Sequence, residues 1–307
     1  MILYSYTLCT ISSDPHFLTF SGKSFDYHGE CDLLLVSIPS FASGSGLCIH
    51  IRTTRMEGRL LSYSYISGVA IKVGEDIFEV QEDGTIILNG ERYAPPHVGD
   101  NKSDYPSFPI MFENYPLMKN MIGKRKKISQ YILDLTNTVI DSVGDIPKEL
   151  KSTGYSKAIT VHANPRTRML YVKIDGDFPD SYGLLGASNA GDRLLGRDGV
   201  TDLSHNLNEY GEEWQVIDTE PMLFSDRRAP QFPDSCVYYS SEGGHVKITH
   251  NLRRRLLADA GNVIGLVTKE DANAACAEYV GIKKQNCVSD VLVMQDIEVA
   301  DDPSYDK

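Results

Sequence analysis

The chain has 307 residues, long enough for one large all-β domain or two ordinary ones. Hydrophobic residues make up 41% and charged residues 23%, a composition that supports a full core. Thirty basic against 42 acidic side chains leave a net charge of −12, which weighs against a nucleic-acid binder, since that needs clustered positive charge. No apolar run approaches the roughly 20 residues of a membrane-spanning helix.

The opening, MILYSYTLCTISSDPHF, has no basic segment, and its apolar stretch is too short and too polar for a signal peptide. A secreted chain with this start is expected to have lost its leader or to begin inside a longer one. From 60 to 95 the pattern is strand and turn. ISGVAIKV (66–73) is rich in β-branched residues, and Gly74-Glu75-Asp76 breaks it before IFEVQ. Glu82-Asp83-Gly84 makes the next turn, and TIIL runs into Asn89-Gly90, the strongest two-residue hairpin signal. Residues 94–127 carry five prolines and end on the basic run Lys124–Lys127, which predicts an excursion from the sheet closing on a solvated turn. YILDL (131–135) alternates, and KAITVHA, the turn Asn164-Pro165-Arg166 and RMLYVKI repeat the hairpin grammar over 157–174. Strands so closely spaced, without helical periods between them, predict an antiparallel sandwich or barrel.

After about 220 the character changes. EPMLFSDRRAPQFPDSC is Pro-rich and irregular, and Arg253-Arg254-Arg255 reads as an exposed basic turn, with a dibasic processing site as the alternative. TKEDANAACAEYVG (268–281) predicts a short helix with Thr268 as N-cap and Asp271 at N3. Ala274, Ala275 and Tyr279 lie on related faces, and Gly281 stops it. The six cysteines, at 9, 31, 48, 236, 276 and 287, contain no CxxC pair, which argues against structural zinc. They are either reduced core thiols or up to three disulfides formed in an oxidising compartment. Cys276 and Cys287 are close enough to staple the helix to the segment that follows.

Catalytic patterns fail in turn. Gly186-Ala187-Ser188-Asn189-Ala190 lacks the last glycine of a nucleophile elbow, and Gly44-Ser45-Gly46 has no Walker lysine. The histidines show no HExxH spacing. Asp175, Asp177 and Asp180 miss the calcium-loop register, because Pro179 and Asp180 occupy the third ligand and glycine positions, so they read as a hairpin turn. No enzyme is expected.

Three stretches belong together. DPHFLTFSGKSFDYHGECDLLLV (14–36) resembles the opening of a von Willebrand factor type D domain, and YGLLGASNAGDRLLGRDG (182–199) with EYGEEWQV (209–216) is similar to that family's second signature. CAEYVGIKKQNCVSDVLVMQD (276–296) is similar to the cysteine-framed tail of its secreted members. The resemblance implies an all-β, two-sheet antiparallel sandwich over 9–220, followed over 221–307 by an irregular linker and a short helical, disulfide-linked tail. It further implies a non-catalytic extracellular module, secreted or at the cell surface, that serves adhesion or matrix assembly. Its partners would be extracellular proteins or glycans, with self-association as a further class. Trp214 falls at the family's tryptophan and is expected in the core. The rival from the residues alone is a cytosolic sandwich with reduced thiols.

The family's calcium ligands map onto this chain with losses. Ser21 replaces the turn aspartate and Ala187 the loop asparagine, leaving Asn189 and Asp192; a cation that wants six to eight oxygens should bind only weakly there. Cys31 matches the family's G-x-C, whose usual partner maps to Cys236; such a bridge would contribute on the order of 4–5 kcal/mol by chain entropy. Cys276–Cys287 is the second pair, and Cys9 and Cys48 either pair with each other or stay free. Asn101, in the one N-glycosylation sequon, is the expected glycan site of a secreted chain. Some family members cleave themselves at the Asp-Pro bond that here is Asp14-Pro15, beside His16; Ser13 in place of the family glycine argues against it.

Overall fold

The computed structural model describes residues 8–12, 15–55, 64–95, 106–122, 128–136, 157–187, 190–226, 237–238, 267–294 and 296–301. Asp14, Asn101, the 124–127 run, Ser188, Asn189, Cys236 and the 253–255 run lie outside the described residues.

The N-terminal segment forms β1 (Leu8–Ser12), β2 (His16–Leu18), β3 (Ser24–Asp26) and the two-residue β4 (Gly29–Glu30). β5 (Asp32–Ile38), β6 (Leu47–Arg55), β7 (Ser64–Val73), β8 (Asp76–Gln81), β9 (Ile86–Leu88) and β10 (Glu91–Tyr93) follow as a six-stranded antiparallel meander. Its β9–β10 turn is Asn89-Gly90, at φ 49° and 86°, the paired positive values that a type I′ hairpin requires. β11 (Ile110–Phe112), β12 (Tyr115–Ile122), β13 (Ile128–Asp134), β14 (Ala158–Asn164) and β15 (Met169–Asp175) form a second meander. β15 then pairs with β1, with Cys9 opposite Ile174 and Ile11 opposite Val172, so this sheet has eight strands in the order β11-β12-β13-β14-β15-β1-β2-β3.

The two sheets face each other across one core, as a sandwich. Leu170, Val172 and Ile174 of β15 enter it beside Ile49, Ile51, Val69, Ile71 and Val80. Full burial of each such side chain stabilises the fold by roughly 1.5–3 kcal/mol. The alternation expected in 168–174 holds on this face. On the other, Met169 is also buried, 4% exposed, because the C-terminal tail covers it.

The excursion expected over 94–127 is corrected for 110–122, which supplies two strands of the eight-stranded sheet. Pro116 sits second in β12, opposite Met111 of the edge strand β11, where a missing N–H is tolerated. The prolines masked an apolar run that pairs with β13 from Leu117 to Ile122.

Past the sandwich, α1 (Leu207–Glu213) starts on Asn206, whose side chain accepts from Glu209 N, and β16 (Val237–Tyr238) pairs with β4. In the tail, α2 (Lys269–Ala275) carries the full capping box of Thr268 and Asp271. It ends at Cys276, earlier than the face through Tyr279 requires. Gly281 does not stop it either: at φ 60° it opens a second helix, α3 (Gly281–Met294). The Cys276–Cys287 disulfide joins the two.

Candidate functional site

Two of the three stretches singled out in the sequence, 14–36 and 182–199 with 209–216, meet at one corner of the sandwich. β5 is an edge strand, and its free side is taken by the 182–185 loop and the 214–216 segment. Ser37 pairs with Tyr182, Leu184 N donates to Leu34 O at 3.0 Å, Leu34 N to Trp214 O at 2.8 Å, and Val216 N to Asp32 O at 2.9 Å. From the N-terminal segment, Phe20 N donates to Leu185 O at 3.1 Å. Tyr210 of α1 is fully buried and its hydroxyl donates to Leu184 O at 3.0 Å and Gly183 O at 3.2 Å. Trp214 is buried against Tyr210, in the core role expected of it. Gly183 has φ 134°, and a Cβ there would stand 2.5 Å from Leu35 O.

At the 19–23 turn this corner offers few oxygens to a divalent cation. Ser21 Oγ is hydrogen-bonded to Thr19 Oγ1 at 2.9 Å, and Thr19 Oγ1 also accepts from Lys23 N at 3.0 Å. Lys23 Nζ donates to the Asp192 backbone oxygen at 3.5 Å, so an ammonium already sits beside one position the resemblance assigned to a ligand. Ala187 contributes no side-chain oxygen. Among the described residues no group of three or more His, Cys, Asp or Glu side chains gathers in a metal-holding arrangement. A hard cation needs several carboxylates at once, and the described residues do not fit it. The Asp175–Asp180 stretch is held otherwise: Lys173 pairs with Asp175 at 2.8 Å, and Asp180 accepts from Ser40 N at 3.0 Å.

His16 of the DPH turn lies between two carboxylates. Its Nδ1 is 2.7 Å from Asp26 Oδ1, across the β2–β3 pair, and its Nε2 is 3.8 Å from Asp290 Oδ1. Asp290 belongs to α3 and is fully buried, so the tail packs against this turn. Nothing in the local pattern of either segment signalled that contact.

Cys31 is disulfide-bonded to a cysteine whose side chain lies outside the described set. Cys48 is free, which removes the alternative of a Cys9–Cys48 pair. Its Sγ is 3.4 Å from His50 Nε2, an arrangement with the outline of a nucleophile and base. The electrostatics oppose that role. Burial, with Glu220 adding to it, pushes the Cys48 thiol up to about 12, and burial with Arg197 nearby pushes His50 down to about 3. The sulfur therefore stays a thiol and the imidazole stays neutral near pH 7.

No motif in the sequence marks Arg197. Its side chain donates to Glu213 O at 2.6 Å and Gln215 O at 2.7 Å, pairs with Glu220 and lies 5.1 Å over the Trp214 ring. It thus clamps the segment that edges β5.

Residues 9–108 match the profile of the von Willebrand factor type D domain. The chain is 32% identical over 88 residues to zonadhesin of Homo sapiens, 30% to zonadhesin of Sus scrofa and 22% to SCO-spondin of Bos taurus. Each match covers 29% of this chain and only 2–4% of those proteins, so the chain spans a small fraction of the relatives it matches. Residues 9–108 are thus similar in sequence to the von Willebrand factor type D domain, and the 14–36 stretch packs with the 182–199 and 209–216 stretches at one sandwich corner.

Proposed function

We propose that the chain is a non-catalytic extracellular module, a structural or adhesive unit whose sandwich (9–220) presents its sheet faces to protein partners and whose tail (221–307) is a disulfide-framed appendage. The observation that carries this reading is the three disulfide-bonded positions, Cys31, Cys276 and Cys287, at the places where the type D signatures put cysteines. Disulfides persist in oxidising compartments and are rare in the cytosol. The lack of an activated nucleophile at Cys48 and His50 is consistent with a binding role.

Cys236 is the proposed partner of Cys31. Val237 pairs with Glu30 and Tyr238 with Gly29, so the strand next in sequence to Cys236 lies beside the one next to Cys31. Cys9 lies in the other ladder, opposite Ile174.

Intact mass of the natively purified chain, alkylated before and after reduction, tests the compartment. We expect four of the six cysteines to take label only after reduction, and Cys48 to react slowly without it because its thiol is held protonated. Six labels without reduction would sink the extracellular reading.

The module is further proposed to fold without calcium, with Lys23 tying the 19–23 turn to the 190s loop. Adding roughly 1 mM calcium, the working range of extracellular calcium modules, is expected to leave Tm unchanged; a rise of several degrees would show a bound ion.

A further inference from the structure

A cleft of about 280 Å³ opens on the outer face of the six-stranded sheet. Its size is at the small end for ligand sites and matches a single long side chain better than a cofactor. Arg52 of β6 forms one wall, but its charge is spent. It makes a two-pronged bond to Asp32, at 2.7 and 2.9 Å, donates to Asp226 Oδ1 at 2.8 Å and to Asp226 O at 2.9 Å, and stacks 4.3 Å over Phe224. An anionic ligand finds no vacant fork there. Phe224 is 4% exposed beneath Arg52, so no open ring face awaits a sugar.

The other charged groups are the carboxylates of Glu79, Glu82 and Asp83, beside the neutral Thr54, Tyr65, Ser67 and Gln81. Glu79 is buried, with its oxygens held by Gln81 Nε2 at 2.8 Å and Ser225 N at 3.0 Å. Asp83 uses one oxygen on Thr85 N. At the rim, Glu82 keeps an oxygen, Oε2, that is shielded from solvent and accepts no hydrogen bond among the described residues. A shielded carboxylate oxygen without a donor costs free energy until a donor arrives. The carboxylate's own partners are the Tyr65 hydroxyl, which hydrogen-bonds it, and Arg168, whose Nη1 lies 3.5 Å from Oε1 on a side chain that is 68% exposed. Arg168 also has φ 57°, a left-handed backbone that a non-glycine residue rarely adopts. So long and exposed an ion pair holds little energy and is easily displaced.

We propose that this cleft receives a basic side chain, arginine foremost, presented by a partner polypeptide, and that Arg168 occupies its mouth until the partner displaces it. The guanidinium donates to Glu82 and lies in the field of Glu79 and Asp83, and Tyr65 lines the same cleft. This deepens the adhesive reading by naming the partner's chemistry. Its test is read on the purified chain, separately from the thiol count.

The probes are acetyl-Gly-Arg-Gly-amide and the same peptide with neutral, near-isosteric citrulline, titrated while the amide signals of Gly68 and Glu82 are followed by NMR. The arginine peptide should give saturable shifts and the citrulline peptide should not. Arg168→Ala should bind about threefold more tightly, the range of an exposed ion pair. Glu82→Gln should bind about tenfold more weakly, as for a lost charge-assisted bond. Glu278→Gln, an exposed acid on the tail, controls for the net charge and should leave binding unchanged. Equal shifts with both peptides, equal losses in Glu82→Gln and Glu278→Gln, or no saturable shift in Arg168→Ala would each overturn the proposal, provided the variants keep the wild-type Tm.

Discussion

Replacing Cys31 with alanine is expected to cost about 5 kcal/mol of stability if its partner is Cys236, because that bridge closes a loop of roughly 200 residues. A bridge to Cys9 would close only about 20 residues and contribute near 3 kcal/mol on the same chain-entropy scale. The magnitude therefore reports the connectivity, and peptide mapping of the unreduced chain checks it independently: a Cys31–Cys9 peptide would refute the proposed pair. Part of the loss is local. Cys31 is fully buried, its Sγ 3.9 Å from the Tyr27 hydroxyl, and its backbone N–H donates to Thr53 Oγ1 at 3.1 Å. Thr53 in turn donates to Gly29 O at 2.6 Å, so this knot links β4, where β16 docks, to β6. Denaturant unfolding of wild type and Cys31→Ala, with unchanged m-value, is the measurement.

Gly183→Ala is expected to destabilise the chain by at least about 3 kcal/mol, combining a forbidden backbone conformation with a collision. At φ 134° only glycine is at ease. The added carbon would lie 2.5 Å from Leu35 O and 3.0 Å from Val36 Cα. Both are backbone atoms of a buried strand, so no side chain can swing aside. The loop must lift from β5, breaking the bonds of Leu184 and Leu185 to Leu34 and Leu35. Gly191→Ala makes the comparison: its φ is also positive, at 60°, but nothing lies within 4 Å of the new carbon, so it should cost about 1 kcal/mol. Similar Tm values for the two variants would show that the packing of the loop against β5 does not carry the effect.

The strands legible in the sequence were those whose side-chain period matched their burial. ISGVAIKV, IFEVQ and RMLYVKI each bury one face in the sandwich, and Asn89-Gly90 announces a turn that needs two positive φ values. β11 and β12 escaped because proline dominates the local reading, whereas Pro109 and Pro116 sit where the ladder does not need their N–H. The helix signal at Thr268 was sound, since a capping box is local chemistry. The second tail helix leaves no such signal, because Gly281 reads as a stop although its positive φ opens the helix. At the corner site, the residues that carried the resemblance do converge, but Gly183, Arg197 and Asp290 matter through partners at positions 35, 213–220 and 16. Such long-range contacts leave no mark in a window of ten residues.

The pairing of β1 with β15 has a consequence for how the chain is made. The two strands are separated by roughly 160 residues, which take about 8–30 s to synthesise at ~5–20 residues per second. Throughout that interval one edge of β1 has no neighbour, because β2 covers only the other side. An open strand edge is a template for pairing with another chain. Among the described residues, the sandwich is thus complete only when β1 receives β15, and until β15 emerges the nascent chain carries that open edge.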